Sequence, residues 1–171
     1  MNRLMSYLIV ISVLAACTFR GGTQKSKLET LSDMTRDIEA EWTVPSVSAA
    51  TALSDWKNNK DVVFVDVREE NEYLVSKIPG AITLKTLRSQ PDFYKNKTIY
   101  VYCTIGHRSG RQTQTLRDLG FQAYNIPGSI LLWTHLKGPL VDQKNQSTKN
   151  VHVYGERWNL LPDDHSAVLN N

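Results

Sequence analysis

Tyr102-Cys-Thr-Ile-Gly-His-Arg-Ser-Gly110 is the stretch of this chain that decides its fold and its chemistry. The apolar run 98–102 is typical of a buried strand, and residues 110–119 are typical of a helix. A strand, a short loop and a helix in this order bring backbone N–H groups and the positive end of a helix dipole close to Cys103. Such surroundings favour the thiolate, so we predict a catalytic cysteine. The alternative is a buried structural cysteine.

Short strands and short helices alternate on both sides of this stretch. Further strands are predicted at 62–66 and 121–126, and helices at 49–57, 69–76 and 129–137. This alternation indicates an α/β fold, a doubly wound parallel sheet with helices on both faces. Sites in such sheets form at the carboxyl ends of strands, so Asp66 and Cys103 are expected on the same rim.

Composition excludes several classes of protein. The chain has 171 residues, of which 41% are apolar and 22% charged, which is enough for one domain with a core and tails. The formal net charge of +3 is too small to indicate a nucleic-acid partner. The four histidines show no ligand spacing with Cys103, so neither a metal nor another cofactor is expected.

The N-terminus has the pattern of an export signal. Residues 4–16 are apolar but too few to span a bilayer, and they lead into Leu14-Ala-Ala-Cys17, which resembles a bacterial lipoprotein box. We predict a signal peptide at 1–16 and lipidation at Cys17; an ordinary secretory signal with a chance cysteine is the alternative. Thr18 gives no retention signal for the inner membrane, so the expected location is the bacterial cell envelope, lipid-anchored at the outer membrane and facing the periplasm.

Cysteine usage supports a reactive thiol. If Cys17 is acylated, Cys103 is the one remaining cysteine of an exported protein and has no partner for an intramolecular disulfide. A leftover cysteine of this kind indicates a free reactive thiol.

The chain divides into four predicted segments. The signal peptide is followed by a lipidated tether and N-terminal helix at 17–43, the domain at 44–142, and a C-terminal extension at 143–171 that packs back on the domain. The N-terminal helix is predicted from apolar residues at near-helical spacing: Leu28, Leu31, Met34, Ile38 and Trp42. Residues 141–150 are predicted to be loose and 163–171 frayed.

Four segments, in the right order, resemble the rhodanese family of sulfurtransferases. They are 66–69 with 72–73, 78–82, 102–110 and 125–133. The resemblance covers roughly residues 46–141. Lys77 and Ser129 depart from common family residues, at positions where no chemistry is expected.

The resemblance implies roles for the loop residues. Cys103 would take a sulfane sulfur from a small anionic donor such as thiosulfate and pass it to cyanide or a thiol. Backbone N–H groups from Thr104 through Ile105, Gly106, His107 and Arg108 to Ser109 would form an anion nest. Gly106 would supply unusual backbone dihedrals, Arg108 a fixed cation, and Ser109 a helix cap. His107 is either an anion contact or simply exposed.

Two supporting residues and two rival functions stay open. Asp66 and Arg68 form either a structural pair at a strand end or a source of positive potential at the site. Glu72 is interpreted as a helix-start charge. One rival is a sulfur carrier or protein-binding module without catalysis. The other is a phosphatase or arsenate reductase, disfavoured because Arg108 stands one position nearer to the cysteine than the arginine of those enzymes.

Overall fold

The structure, a computed structural model, describes residues 25–169. The predicted signal peptide at 1–16 and the predicted lipidation of Cys17 lie outside the described residues. Across the part that is described, no helix is both long and apolar enough to cross a membrane.

Seven α-helices and six β-strands form within the described residues. They are α1 (Lys27–Glu41), α2 (Ala49–Lys57), β1 (Val62–Asp66), α3 (Glu70–Val75), β2 (Ile82–Thr83), α4 (Leu84–Ser89), α5 (Pro91–Tyr94), β3 (Thr98–Tyr102), α6 (His107–Asp118), β4 (Gln122–Asn125), α7 (Ser129–His135), β5 (Asn150–His152) and β6 (Ser166–Val168). One turn of 3-10 helix, Glu156–Trp158, lies between β5 and β6.

Four strands form a parallel sheet in the order β2-β1-β3-β4. β1 and β3 lie in the middle, and they are the two strands whose bounds were predicted correctly, because strands buried on both faces read as continuous apolar runs. Asp66 at the end of β1 pairs with Tyr102 at the end of β3. Asp66 and Cys103 therefore lie on the same rim, as predicted.

One face of the sheet packs against α1, α2 and α7. Phe64 and Tyr100 lie in this core, together with Trp133 of α7, whose ring is edge-on to Phe64 at 5.8 Å between centroids. Leu31 and Ile38 of α1 are buried here too, which confirms the predicted N-terminal helix. Fully burying a large apolar side chain stabilises a fold by roughly 1.5–3 kcal/mol, so these contacts fix α1 and α7 beside the rim.

The other face packs against α4, α5 and α6. Val65, Ile99 and Val101 alternate with the residues of the first face and meet Leu87 of α4 and Leu116 of α6. Helices thus cover both faces of a parallel sheet. The predicted α/β fold, a doubly wound parallel sheet, is confirmed.

Helix α6 begins three residues earlier than predicted. The N–H of Gly110 donates to the carbonyl oxygen of Gly106 at 2.9 Å, so the first turn already contains His107, Arg108 and Ser109. The cap is Gly106 in a left-handed conformation, and no side chain caps the helix. The prediction that Ser109 caps it is wrong, because Ser109 is the third residue inside the helix.

The C-terminal extension packs on the domain, as predicted. Its apolar side chains join the core that holds α1 and α7, and they are Val151, Val153, Leu160 and Leu161. The fraying predicted for 163–171 is wrong for its described part, because β6 pairs with β5 in a second parallel sheet.

The segment predicted to be loose, 141–150, is partly ordered. Val141 forms isolated antiparallel bridges with Lys77 and with Ser147. The carboxylate of Asp142 accepts hydrogen bonds from the N–H groups of Lys144 and Gln146. A polar composition here reflects a side-chain-stabilised turn, which is the local structure that aspartate favours.

Candidate active site

Cys103 is the residue that follows β3, and its sulfur is surrounded by donors. The N–H of Gly106 donates to Sγ at 3.2 Å, and the hydroxyl oxygen of Ser109 lies 3.5 Å from Sγ. The side chain is buried, with 1% of the residue exposed, yet it lines a cavity. The sulfur therefore has two polar contacts, and its residue belongs to the lining of a cavity.

The carbonyl groups of the loop are held on the opposite side. The oxygens of Cys103, Thr104 and Ile105 accept hydrogen bonds from N–H groups at the start of α7, at 3.2, 3.2 and 3.0 Å. The first N–H groups of a helix have no partner within it, so they are available for this role. With these carbonyls bound to α7, the loop N–H that the structure places on the sulfur is that of Gly106, while the N–H of Cys103 donates to Ser129. The wider nest of N–H groups predicted from Thr104 to Ser109 stays a prediction.

Gly106 is required by the shape of the loop. Its φ is +113°, a conformation that residues with a side chain rarely adopt. A Cβ atom there would lie 3.2 Å from the Cα of Pro127 and 3.3 Å from the nitrogen of Gly128. The role predicted for this glycine matches its observed backbone.

Ser129 contacts the loop, which the sequence analysis did not anticipate. Its Oγ accepts a hydrogen bond from the N–H of Cys103 at 3.1 Å and donates to the carbonyl of Ile126 at 2.8 Å. It also lies 3.4 Å from the hydroxyl of Ser109, and only 1% of the residue is exposed. The departure from the family residue therefore lies in the site and adds a hydroxyl behind the cysteine.

Arg108 is bound to Glu72 by two hydrogen bonds of 2.6 and 2.8 Å. A third, at 2.9 Å, joins Arg108 to the hydroxyl of Thr104. Burial raises the pKa of Glu72, but the hydrogen bonds from Arg108 and from the N–H of Glu69 outweigh burial and hold this pKa below its usual value. The charge of Arg108 is thus matched by a buried carboxylate.

Glu72 is a second site residue whose role was missed. It lies in the first turn of α3, as predicted for a helix-start charge, and its carboxylate accepts the Glu69 N–H at 2.9 Å. It is also 1% exposed and contacts the loop through Arg108. Its position among several glutamates gave no signal of this contact, which depends on a tertiary pairing across 36 residues.

His107 lies on the outer side of the site. It is in the first turn of α6, and its Nε2 is 3.0 Å from a carboxylate oxygen of Glu41, at the end of α1. Its ring meets that of Trp42 edge-on at 5.6 Å. His107 therefore joins the loop to α1 while its other face borders the cavity.

Asp66 and Arg68 form a buried ion pair beside the loop. Arg68 Nη2 donates to Asp66 Oδ2 at 2.7 Å and to the carbonyl of Ser76 at 2.5 Å. Burial lowers the pKa of Arg68, but the charge and hydrogen bonds of Asp66 outweigh burial and raise it above its usual value. The pair joins the end of β1 to the end of α3, and its charges cancel locally.

A cavity of about 520 Å³ opens above Cys103. Its floor is the loop, and its walls come from α1 and from the C-terminal extension. The wall residues are Met34, Asp37, Ile38, Tyr154, Arg157 and Trp158. No cluster of potential metal ligands occurs among residues 25–169.

The sequence of the chain matches the profile of a known protein family. The sequence profile of the family described as "Rhodanese-like domain" matches residues 49–136, just over half of the chain. The six wall residues of the cavity all lie outside this range.

Curated relatives share part of their length with this chain. A tRNA uridine(34) hydroxylase of Bartonella bacilliformis is 29% identical over 112 residues, which are 57% of this chain and 37% of that protein. An uncharacterized protein of Synechocystis is 32% identical over 101 residues, which are 57% of this chain and 56% of that protein. The chain thus spans about a third to a half of the length of these relatives.

Solved structures share the fold. The rhodanese-like domain of an Anabaena protein aligns with a TM-score of 0.53 at 24% identity, over 57% of this chain and 79% of that one. A thiosulfate sulfurtransferase of Pseudomonas aeruginosa aligns with a TM-score of 0.52 at 21% identity, over 72% of this chain and 24% of that one. At these identities the likeness shows the fold alone.

Proposed function

Because the chain belongs to the rhodanese-like domain family, we propose that it is a sulfurtransferase that carries a sulfane sulfur on Cys103. The observation that carries this proposal is the placement of the Cys103 sulfur, which accepts the N–H of Gly106 at 3.2 Å and borders an open cavity. An amide donor stabilises a thiolate, and the same donor stabilises the terminal sulfur of a persulfide.

The proposed reaction has two displacement steps. The Cys103 thiolate attacks the outer sulfur of a donor such as thiosulfate, a new S–S bond forms, and the bond to the donor breaks with its electron pair leaving on sulfite. A thiophilic acceptor, cyanide or a thiolate, then attacks the terminal sulfur of the persulfide. The S–S bond breaks with its electron pair returning to Cys103, which restores the thiolate.

Ser109 supports both steps through a hydroxyl group that can donate its hydrogen bond to either of two acceptors. Its hydroxyl lies 3.5 Å from the sulfur and 3.1 Å from the carbonyl oxygen of Gly106, and it has a single proton to donate. In the thiolate state the O–H bond of Ser109 is best oriented towards the sulfur, so that the hydroxyl donates a hydrogen bond to it and keeps its proton. When the charge moves outward to the terminal sulfur of the persulfide, the O–H bond can rotate and donate to the carbonyl oxygen of Gly106.

The pairing of Arg108 with Glu72 argues against a phosphatase. Both terminal nitrogens of Arg108 are bound to the carboxylate, at 2.6 and 2.8 Å. The bidentate donor fork that would hold a tetrahedral oxyanion is therefore already occupied. We expect no turnover of an aryl phosphate.

A second part of the proposal concerns location. We propose that the chain is exported and lipid-anchored through Cys17 in the bacterial cell envelope, at the outer membrane and facing the periplasm. The support is the sequence Leu14-Ala-Ala-Cys17 at the end of a short apolar segment.

Turnover separates an enzyme from a carrier. Thiosulfate and cyanide are mixed with the full chain, and thiocyanate is followed while both concentrations vary. Many turnovers per chain with parallel double-reciprocal lines, absent in Cys103→Ser, support the enzyme. A single stoichiometric transfer would indicate the carrier, and no transfer at all would overturn both.

A further inference from the structure

The cavity above Cys103 is large for an inorganic sulfur donor. Its volume is about 520 Å³, whereas a five-atom ion takes up roughly 150 Å³ if each heavy atom is allotted the ~30 Å³ of a liquid water. Pockets of 300–1,000 Å³ typically hold organic ligands. The space over the sulfur therefore exceeds what thiosulfate or cyanide would fill.

The side chains around this space are mainly apolar. Met34 and Ile38 come from α1, Ile105 from the loop, and Tyr154 and Trp158 from the C-terminal extension. Ile38 and Ile105 are buried, while Met34 and Trp158 pack partly against the core. These surfaces favour a carbon body, because covering them removes apolar area from water.

The charges of the walls do not favour a dianion. Asp37 and Arg157 lie at exposed positions on the two walls and bring one charge of each sign. The guanidinium of Arg157 lies over the ring of Trp158 at 4.5 Å. Arg108 is matched by Glu72. A ligand with no net charge on its body suits this balance better than thiosulfate does.

We propose that the physiological acceptor of the Cys103 sulfur is an organic thiol whose apolar body fills the cavity between α1 and the C-terminal extension. This inference rests on the proposed sulfurtransferase function. The thiolate would attack the terminal sulfur of the Cys103 persulfide, an organic persulfide would leave, and the electron pair of the broken S–S bond would return to Cys103. The two walls lie outside the family match, so they give this chain its own acceptor preference.

A series of straight-chain thiols tests this proposal on the unmodified chain. Ethanethiol to hexanethiol serve as acceptors with thiosulfate as donor, because their basicity, and hence their intrinsic nucleophilicity, is nearly constant along the series. Each methylene buried in the cavity should raise kcat/KM about fourfold. A flat series would overturn the proposal.

Two variants of wall residues test whether the cavity causes the preference for longer thiols. Trp158→Ala should reduce the preference for hexanethiol over ethanethiol by tenfold or more, and Met34→Ala should reduce it by a smaller factor. Phe93→Ala is the matched control, because it removes an aromatic ring that is 65% exposed and lies outside the cavity lining, so the preference should persist. An unchanged preference in both wall variants would overturn the assignment of the cavity.

Transfer to cyanide, measured in parallel, distinguishes a failure of the organic-acceptor proposal from a failure of the sulfurtransferase function on which that proposal rests. Thiocyanate formation with a flat thiol series would leave the sulfurtransferase standing and exclude the organic acceptor. The absence of transfer to cyanide and to every thiol would contradict the sulfurtransferase itself.

Discussion

In the loop that follows Cys103, backbone carbonyl groups and a backbone N–H group have different partners. The loop carbonyls accept from α7, while the N–H of Gly106 donates to the sulfur. The two hydrogen bonds described for Sγ come from this N–H and from the hydroxyl of Ser109, both uncharged donors. The site therefore depends on backbone geometry, and the residue that sets this geometry is Gly106.

Gly106→Ala should abolish most activity. The new Cβ would meet Pro127 at 3.2 Å, and the left-handed backbone costs a residue with a side chain about 1–2 kcal/mol. We expect turnover to fall at least tenfold as the loop relaxes and the N–H leaves the sulfur. The control is Gly80→Ala, which has φ +82° but, apart from the adjacent residues of the chain, no heavy atom within 4 Å of its added Cβ. Urea unfolding should show a loss of stability in both variants; equal loss of turnover in both would refute the argument.

Glu72→Gln should destabilise the fold in a pH-dependent way. Losing a buried ion pair costs about 3–5 kcal/mol, and we expect about 2 kcal/mol because the Arg108 side chain is 29% exposed. The pKa of Glu72 is lowered in the fold, so its contribution is complete above its unfolded value of about 4.5 and is lost as pH falls through the folded value.

Urea unfolding between pH 3 and pH 7 measures this dependence. The stability difference between the original chain and Glu72→Gln should be constant above about pH 5 and shrink below it. Glu70→Gln, an exposed change in the same helical turn, should give a difference of less than 0.5 kcal/mol, roughly the limit for surface substitutions. A difference that does not change with pH would contradict the role given to the ion pair.

Among the elements, α1 bears directly on the site because its C-terminal end contacts the first turns of α6. The ring of Trp42, just after α1, covers Gly110 in α6, and Glu41 meets His107 in the first turn. This contact explains why a helix outside the family match ends at the active site. It also requires a residue without a side chain at position 110.

Gly110→Ala should reverse the usual effect of this substitution. In an exposed helix interior, alanine stabilises by about 1 kcal/mol relative to glycine. Here the added Cβ would lie 2.7 Å from Cγ of Trp42, so we expect a net loss of stability. In a Trp42→Ala background the same change should become stabilising. Calorimetric unfolding of the four chains gives the coupling, and additive effects would disprove the contact.

The same elements show what could be predicted from the sequence. β1 and β3 were predicted with their observed bounds because strands buried on both faces are continuous apolar runs. The start of α6 was missed because its cap is a left-handed glycine with no capping side chain. β6 was missed because its three residues are held by pairing with β5, which no local pattern encodes.

The candidate site was predictable to a smaller extent. The nucleophile, the glycine and the loop follow from a contiguous motif. Glu72 and Ser129 contact the loop from positions 31 residues before and 26 residues after Cys103, so only the folded chain brings them together. The cavity walls come from two segments that meet through core packing.

For the molecule as a whole, the proposed lipid anchor makes a sharp prediction about location. Expressed in a bacterium, the full chain should fractionate with membranes and enter the detergent phase on extraction. Cys17→Ser should release it into the soluble fraction, because the acyl chains would be absent. Cys103→Ser is the matched control and should stay with the membranes. Release of neither variant would contradict anchoring through Cys17.

The central claim is that one sulfur, held by the loop amide, accepts another sulfur. The most direct measurement is the intact mass of the full chain after incubation with thiosulfate and removal of excess donor. The account predicts a gain of one sulfur atom that persists in Cys17→Ser, disappears in Cys103→Ser and is reversed by cyanide. No gain in mass, or a gain that survives in Cys103→Ser, would contradict it.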